Sequence, residues 1–161
     1  MYAAANMFDS DPGRADLQRA DGHGRVSFKQ SPTGTRLDAL YQRGCAKIRL
    51  PKVYDGVPVA VLLNTAGGLT GGDRITHQAV LASETRAIVT SQTAERAYRS
   101  LSGEANVVID LKVGSGAKLE WLPQETILFD RSGLHRRLDV VLEGNARFLG
   151  VESVVLGRTA M

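Results

Sequence analysis

Cysteine and histidine are scarce in this chain, whose 161 residues include one cysteine, Cys45, and three histidines. A single cysteine excludes an internal disulfide and a zinc site built from cysteines. His23, His77 and His135 lie far apart and form neither a His-x-His nor an HExxH motif. We therefore expect no high-affinity site for a first-row metal from this chain alone, and no tightly bound cofactor. Cys45 has no histidine near it in the sequence, so we expect it to serve in packing.

Long apolar runs and catalytic motifs are also missing. The longest apolar run, residues 57–63, is interrupted by Pro58 and is far shorter than a membrane-spanning helix. Residues 1–24 carry four aspartates and lack the apolar core of a secretion signal, which predicts a disordered leader in the cytoplasm. The sequence contains no Gly-x-Ser-x-Gly elbow and no hydride-cofactor fingerprint. These absences argue against a membrane protein and against the commonest hydrolases and dehydrogenases.

The charge balance is nearly even, with 20 basic and 17 acidic residues. The basic residues are mostly arginines scattered along the sequence, and Arg136-Arg137 is their only adjacent pair. No basic run is interleaved with aromatic residues, so nucleic-acid binding is weakly supported. Scattered arginines fit a surface that contacts proteins, or a plain solvated surface.

What the chain does have is alternation of apolar and polar residues, the pattern of half-buried strands. In residues 107–113 the apolar side chains recur at every second position, while Asp110 and Lys112 point the other way. The same spacing recurs in three further segments: Ile75, His77, Ala79 and Leu81; Ala117, Leu119 and Trp121; Leu138, Val140 and Leu142. This repeated pattern predicts an all-β protein. On the apolar strand face, we expect His77 to be a hydrogen-bonded core histidine.

Three segments carry more specific expectations. Residues 59–63 are continuously apolar, as in a strand buried on both faces. Residues 92–99 are interpreted as a short helix with Ala94, Ala97 and Tyr98 on one side. Residues 147–156 are interpreted as one further strand.

Residues 62–73 form the most distinctive segment, with two Gly-Gly pairs four residues apart and Asp73 at the end. Adjacent glycines permit positive φ and close backbone approach, so this loop is tightly specified. A phosphate-binding loop needs free amides followed by a lysine and a helix, whereas Asp73 places a negative charge where phosphate would lie. We therefore expect a loop built for shape, with a cation as the alternative ligand.

Three acids stand in unusual surroundings. Asp73 closes the glycine loop, Glu125 follows the segment Trp121-Leu122-Pro123-Gln124, and Glu152 lies in an otherwise apolar stretch. An acid inside an apolar strand costs several kcal/mol unless it is paired, hydrated or holding a cation. Glu152 therefore indicates either a strand face open to water or a carboxylate beside a water-filled passage. Such a carboxylate is a weak ligand for a divalent ion, which suits transit because the ion must also leave.

Four segments together resemble the family of the urease accessory protein UreD, called UreH in some bacteria. They are residues 36–51, 62–73, 90–100 and 119–130, and they occur in family order across residues 25–161. The resemblance implies a right-handed β-helix-like stack of sheets with few short helices. It also implies that residues 25–161 form only the amino-terminal part of the family's β domain, because family members continue well past residue 161.

The resemblance also implies a function without catalysis. UreD-like proteins bind apo-urease and recruit UreF, and through it the GTPase UreG, to deliver nickel to the urease active site. A passage through UreF and UreD is the family's proposed nickel route, with acids as weak stations. The implied residues are Asp73, Glu152 and Glu125 as passage-lining acids; Gly67, Gly68, Gly71 and Gly72 as the structural loop; and Tyr98 and Arg99 as a partner surface.

Two other functions stay open at this point. A β-rich hydrolase or carbohydrate-active enzyme would use Glu125 or Glu152 with a second acid facing it across a cleft. A binding module with no metal role would use neither acid. The sequence places no second chemical group beside either acid, which favours the resemblance over the enzyme.

Overall fold

The computed structural model describes residues 18–54 and 56–157. Across these residues the chain forms thirteen strands and no helix. The same residues therefore include no helix long and apolar enough to cross a membrane. The first strand begins at Asp21, inside the predicted leader, whose residues 1–17 lie outside the described part of the chain.

The strands are short and regularly spaced along the chain. Their bounds, in chain order, are β1 Asp21–Ser31, β2 Gly34–Gly44, β3 Ala46–Arg49, β4 Val59–Asn64, β5 Arg74–Leu81, β6 Arg86–Ser91, β7 Glu95–Ala97, β8 Ala105–Val113, β9 Lys118–Trp121, β10 Thr126–Leu128, β11 Leu134–Leu142, β12 Arg147–Gly150 and β13 Val154–Leu156.

Three stacks of strands, parallel from β5 onward, make a β-solenoid. The first sheet has the order β11-β8-β5-β1-β2, the second β12-β9-β6-β4-β3, and the third β13-β10-β7. From β5 onward the chain visits the three sheets in turn, so β5–β7, β8–β10 and β11–β13 are three successive turns. The predicted all-β stack of sheets is therefore confirmed.

The start of the solenoid differs from its three turns because it is antiparallel. β1 and β2 form a long hairpin, and β3 pairs antiparallel with β4. β1 then pairs in parallel with β5, and β4 pairs in parallel with β6, so these two pairings attach the antiparallel start to the first turn. β2 and β3 are the outer strands at this end.

The core lies between the first two sheets and is built from the predicted alternation. In β8 the side chains of Val107, Ile109, Leu111 and Val113 are all at most 3 % exposed. The predicted inward residues of β5 and β9 are likewise buried, and Trp121 is the largest of them. In β11, on the third turn, the apolar residues also alternate with polar ones, but they are less buried: Leu138 and Val140 are half-buried and Leu142 is exposed.

Three local expectations are wrong. Residues 92–99 contain the strand β7 and no helix, because a solenoid needs an extended segment between β6 and β8 and because β7 pairs with β10. β4 is buried on one face only: Ala60 and Leu62 are buried, whereas Val59 and the other odd positions are half-buried. Residues 147–156 form two strands, β12 and β13, because the chain turns there from the second sheet to the third.

Candidate functional site

The glycine loop runs beside β7 and extends the third sheet by one residue pair. Leu69 forms a parallel bridge with Ala97, and its amide donates to the carbonyl of Arg96 at 2.7 Å. At Gly71 a Cβ atom would lie 2.2 Å from the carbonyl oxygen of Ser102, and at Gly68 it would lie 2.4 Å from the Tyr98 ring. These close approaches leave no room for a side chain at Gly68 and Gly71.

Asp73 is buried, and both of its carboxylate oxygens accept hydrogen bonds from backbone amides. Its Oδ1 accepts from the amide of Ala20 and its Oδ2 from the amide of Thr70, each at 2.8 Å. Its own amide donates to the carbonyl of Thr70, which closes the turn. A carboxylate held in this way fixes the loop to the start of β1 and lines neither of the interior cavities described next.

Two partly open cavities lie among the strands of the three sheets, at the end of the core that faces the glycine loop. The first, of about 130 Å³, lies between β4, β5, β8 and β7, and the second, of about 240 Å³, lies under β10, β11 and β13. Pro123, Gln124, Thr126 and Arg136 line both cavities, so the two adjoin at these residues. Gly67 and Gly68 line the first cavity; Gly71 and Gly72 do not.

His77 lines the first cavity and departs from the expectation of a hydrogen-bonded core histidine. The residue is 9 % exposed, and its Nδ1 has no hydrogen-bond partner. A Cβ atom on Gly24, its neighbour in β1, would lie 3.0 Å from that nitrogen, so glycine there leaves room for the ring. Burial, together with the charges of Arg136 and His23, lowers the pKa of His77 from 6.5 to about 4. The imidazole is therefore neutral at pH 7.

Glu95 is the carboxylate of the first cavity, and no motif in the sequence pointed to it. It opens β7, where its carboxylate accepts from the side-chain amide of Asn64 at 3.3 Å. Burial raises the pKa of Glu95, against the opposing effects of Asn64 and of Arg136. A carboxylate with a raised pKa in a small, mainly apolar cavity has the chemistry of a weak acid or of a weak oxygen ligand.

Glu152 lies at the corner between β12 and β13 and is paired, unlike the unpaired strand acid inferred from the sequence. Its Oε1 accepts from the Nη2 of Arg136 at 2.6 Å and from the indole Nε1 of Trp121 at 3.0 Å. Partial burial opposes ionisation of Glu152, but the hydrogen bond and charge of Arg136, with the bond from Trp121, lower its pKa. Glu152 lines the second cavity and is ionised at pH 7.

The remaining predicted residues, Glu125, Tyr98 and Arg99, line neither cavity, although the neighbours of Glu125 on both sides line both. Glu125 is half-buried next to β10, and its carbonyl accepts from the amide of Glu95 at 2.9 Å. Tyr98 stacks on Phe129 with ring centroids 5.3 Å apart, so most of its ring faces the protein, whereas Arg99 is exposed. Within residues 18–54 and 56–157, no three His, Cys, Asp or Glu side chains gather closely enough to hold a metal ion.

The polar residues of the site thus come from different turns. His77 belongs to the first turn, Trp121 to the second, and Arg136 with Glu152 to the third. Arg136 interacts with all three titratable groups of the cavities, namely His77, Glu95 and Glu152. Only stacking of the turns brings them together, because 59 residues separate His77 from Arg136 in the sequence.

Fold and site together define a class: a β-solenoid with two adjoining, partly open cavities between its sheets, each lined mainly by apolar groups with a few charged side chains. Comparison with known proteins makes the assignment specific. Residues 20–161 match the model of the family described as UreD urease accessory protein. The chain belongs to this family, which confirms the resemblance found in the sequence.

Individual relatives agree with this family assignment. The chain is 54 % identical to the urease accessory protein UreD of Chelativorans sp. (strain BNC1) over 151 residues, which are 94 % of this chain and 54 % of that protein. It is 53 % identical to UreD of Rhizobium leguminosarum bv. trifolii (strain WSM2304), over 89 % of this chain and 53 % of that protein. The chain therefore spans about half the length of the relatives it matches.

Proposed function

We propose that this chain acts in urease maturation as a non-catalytic chaperone in the cytoplasm, scaffolding apo-urease with UreF and, through UreF, UreG. Membership of the UreD family is the observation that carries this proposal, and it supports a role in urease maturation directly. Partners and nickel transfer are the finer part of the proposal. The chain covers about half of its relatives, so the proposal describes its contribution to the longer protein.

The two adjoining cavities are the proposed path for nickel in transit. Nickel is the cargo here, and its weak stations would be the carboxylates of Glu95 and Glu152 and the neutral ring of His77. Arg136 carries a positive charge at the junction, but Glu152 offsets it through their ion pair at 2.6 Å. With Glu95 ionised the junction has a net charge of about −1, which attracts a divalent cation without binding it tightly.

This arrangement revises the list of passage residues. Glu152 keeps its place, and Glu95 and His77 join it because they line the first cavity. Asp73 is assigned to holding the glycine loop, since both its oxygens accept backbone amides. Glu125 lines neither cavity, which removes the geometric reason for including it.

The alternative of an enzyme with paired carboxylates gains little from this site. A general acid–base pair needs one carboxyl group protonated and free to donate. Such a pair must also face each other across one cleft, whereas Glu95 lines only the first cavity and Glu152 only the second. Glu152 is in addition held ionised by its ion pair with Arg136.

The test is co-expression of this chain with the urease subunits, UreG and tagged UreF, followed by pull-down and measurement of nickel per urease active site. The variant Glu95→Gln/His77→Leu removes two cavity stations. The matched control Glu125→Gln/His135→Leu changes the same residue types outside the cavities. We expect complex recovery to be unchanged in both, and nickel content to fall several-fold only in the cavity variant.

Two results would contradict the proposal at different levels. Normal nickel content of urease with the cavity variant would contradict the proposed nickel passage and leave the proposed scaffolding role intact. Failure of the parent chain to co-purify with UreF or urease would remove the scaffolding role itself.

A further inference from the structure

The third turn places an arginine where the other turns place apolar core residues. In the first sheet Arg136 of β11 lies in register with Val107 of β8, and Val107 lies in register with Ile75 of β5. Val107 and Ile75 are buried, and the side chain of Arg136 is only 22 % exposed. A guanidinium in such a position is costly unless a carboxylate pairs with it. The inward arginine therefore needs a specific partner.

Glu152 is that partner, and Trp121 holds it in place. The Oε1 atom of Glu152 accepts from the Nη2 of Arg136 and also from the indole Nε1 of Trp121. Trp121 is 1 % exposed, so packing fixes its ring. The three side chains form a chain of contacts in which a buried ring positions the carboxylate and the carboxylate positions the guanidinium.

Arg136 is also the charged residue at the junction of the two cavities. The residues that line both cavities are Pro123, Gln124, Thr126 and Arg136. Pro123 is a rigid ring and Thr126 is buried in β10, whereas an arginine side chain has several rotatable bonds. Gln124 is neutral, so the position of the Arg136 guanidinium decides the charge of the junction.

Each cavity offers this arginine one carboxylate. Glu152 lines the second cavity and Glu95 the first. Arg136 makes its ion pair with Glu152, and it also acts electrostatically on Glu95. The hydrogen bond that Glu95 accepts from a side chain comes from Asn64, a neutral donor, at 3.3 Å. The guanidinium therefore has an occupied partner on one side of the junction and an available partner on the other.

We propose that Arg136 is a two-position gate between the cavities, held at Glu152 in the position seen here and turning to Glu95 when Glu152 is neutralised. At Glu152 the charge of the guanidinium is balanced on the side of the second cavity. At Glu95 it would cancel the carboxylate of the first cavity and repel a divalent cation from the junction. As a regulator of nickel transit the gate rests on the proposed function, whereas its two positions do not.

A purely structural ion pair is the alternative. It accounts for the burial of Arg136 and for its pairing with Glu152, because a partly buried charge requires a partner. It gives Glu95 no part. The two interpretations differ in what Arg136 does without its partner: a structural pair leaves the guanidinium unpaired, whereas the gate moves it to Glu95.

The first experiment measures the energetic coupling between Arg136 and Glu95 by a double-mutant cycle. Arg136→Met and Glu95→Gln are combined in the full 161-residue chain, and urea unfolding at pH 8 is followed in the parent and in a Glu152→Gln background. The control background Glu120→Gln neutralises the carboxylate paired with Arg86 on the surface. We expect the coupling to change the unfolding equilibrium constant less than about threefold in the parent and the control, and about tenfold or more with Glu152→Gln.

Equal coupling in all three backgrounds would overturn the two-position gate. It would leave the scaffold and the nickel passage untouched, because neither depends on where Arg136 turns. The matched glutamine in each background keeps the size of the side chain, so a general loss of stability enters both sides of the cycle and cancels.

The second experiment asks whether the gate acts on transit, in the complex co-expressed with the urease subunits, UreF and UreG. Glu152→Gln should lower nickel per urease active site several-fold, because the freed Arg136 carries its charge to the first cavity. Glu152→Gln/Arg136→Met should raise nickel again by at least about twofold, with complex recovery unchanged. No recovery in the double variant would overturn the gate and leave Glu152 as a simple ligand. Normal nickel in Glu152→Gln and in the cavity variant would contradict the passage, and the role of the gate with it.

Discussion

The two halves of the solenoid core differ although the same strands build both. Along β5, Ile75 and His77 line the first cavity, whereas Ala79 and Leu81 are packed in a half that lines neither interior cavity. Along β8, Val107 and Ile109 line the cavity and the later apolar residues do not. Apolar alternation therefore places a side chain inside the solenoid, but it does not decide whether the inside is filled or hollow.

The largest expected effect compares leucines in the two halves. Leu111→Ala, in the filled half, should lower the free energy of unfolding by about 3–5 kcal/mol, because it opens a new cavity among buried neighbours. Leu62→Ala, beside the first cavity, should cost less, about 2 kcal/mol, because it enlarges a space that water can already fill. Urea unfolding at pH 7 measures both. Equal losses would contradict the division of the core into a filled and a hollow half.

The second prediction concerns the pH dependence of the hollow half. His77 has a pKa of about 4 in the folded chain and near 6.5 when unfolded, so the unfolded state binds more protons between these values. The stability this contributes is present above pH 6.5 and is lost as pH falls to 4, by roughly 3 kcal/mol. Urea unfolding across this range should show a flatter pH dependence for His77→Leu than for the parent chain.

His135→Leu is the control for this measurement because His135 lies exposed on β11. Its pH dependence should match the parent's, while burial of Glu95 acts in the opposite direction equally in all three proteins. A slope for His77→Leu equal to the parent's would mean that His77 is not held neutral in the cavity.

The smallest effect compares two ion pairs. Arg136→Met should lower the free energy of unfolding by about 1–2 kcal/mol, because it leaves Glu152 and Glu95 without their shared cation in a partly buried place. Arg86→Met breaks a more exposed pair with Glu120, whose side chains are 52 % and 25 % exposed, and should cost less than about 0.5 kcal/mol. Thermal unfolding in low salt measures the difference, and equal shifts would place Arg136 in an ordinary surface pair.

The fold was largely predictable because alternation of apolar and polar residues is a property of each strand's own sequence. Alternation over nine residues of β8 or four of β9 is visible without any knowledge of neighbours. The wrong predictions concern segments whose conformation is set by pairing with another strand. The spacing of apolar residues in β7 predicts a helix, but β7 is extended because it pairs with β10. Glu152 reads as a strand acid but lies at a corner, because the chain changes sheets there.

The candidate site was much less predictable. Asp73 stood out in the sequence because glycines flank it, yet its two oxygens hold backbone amides of the loop and of Ala20. Glu95 and Arg136 carry no motif, and their importance comes from lying against the same cavity. No reading of spacing could find them, because solenoid turns of about thirty residues bring distant positions into contact.

By itself the sequence determined the all-β class, the inward face of most core strands, the glycine-only positions of the loop and membership of the UreD family. These follow from local periodicity, from backbone conformations that only glycine adopts, and from the order of characteristic segments. Tertiary structure alone decided the hollow half of the core and the pairing of Glu152 with Arg136. The physical reason is that cavities and ion pairs depend on which turns stack together, and stacking joins residues that are far apart along the chain.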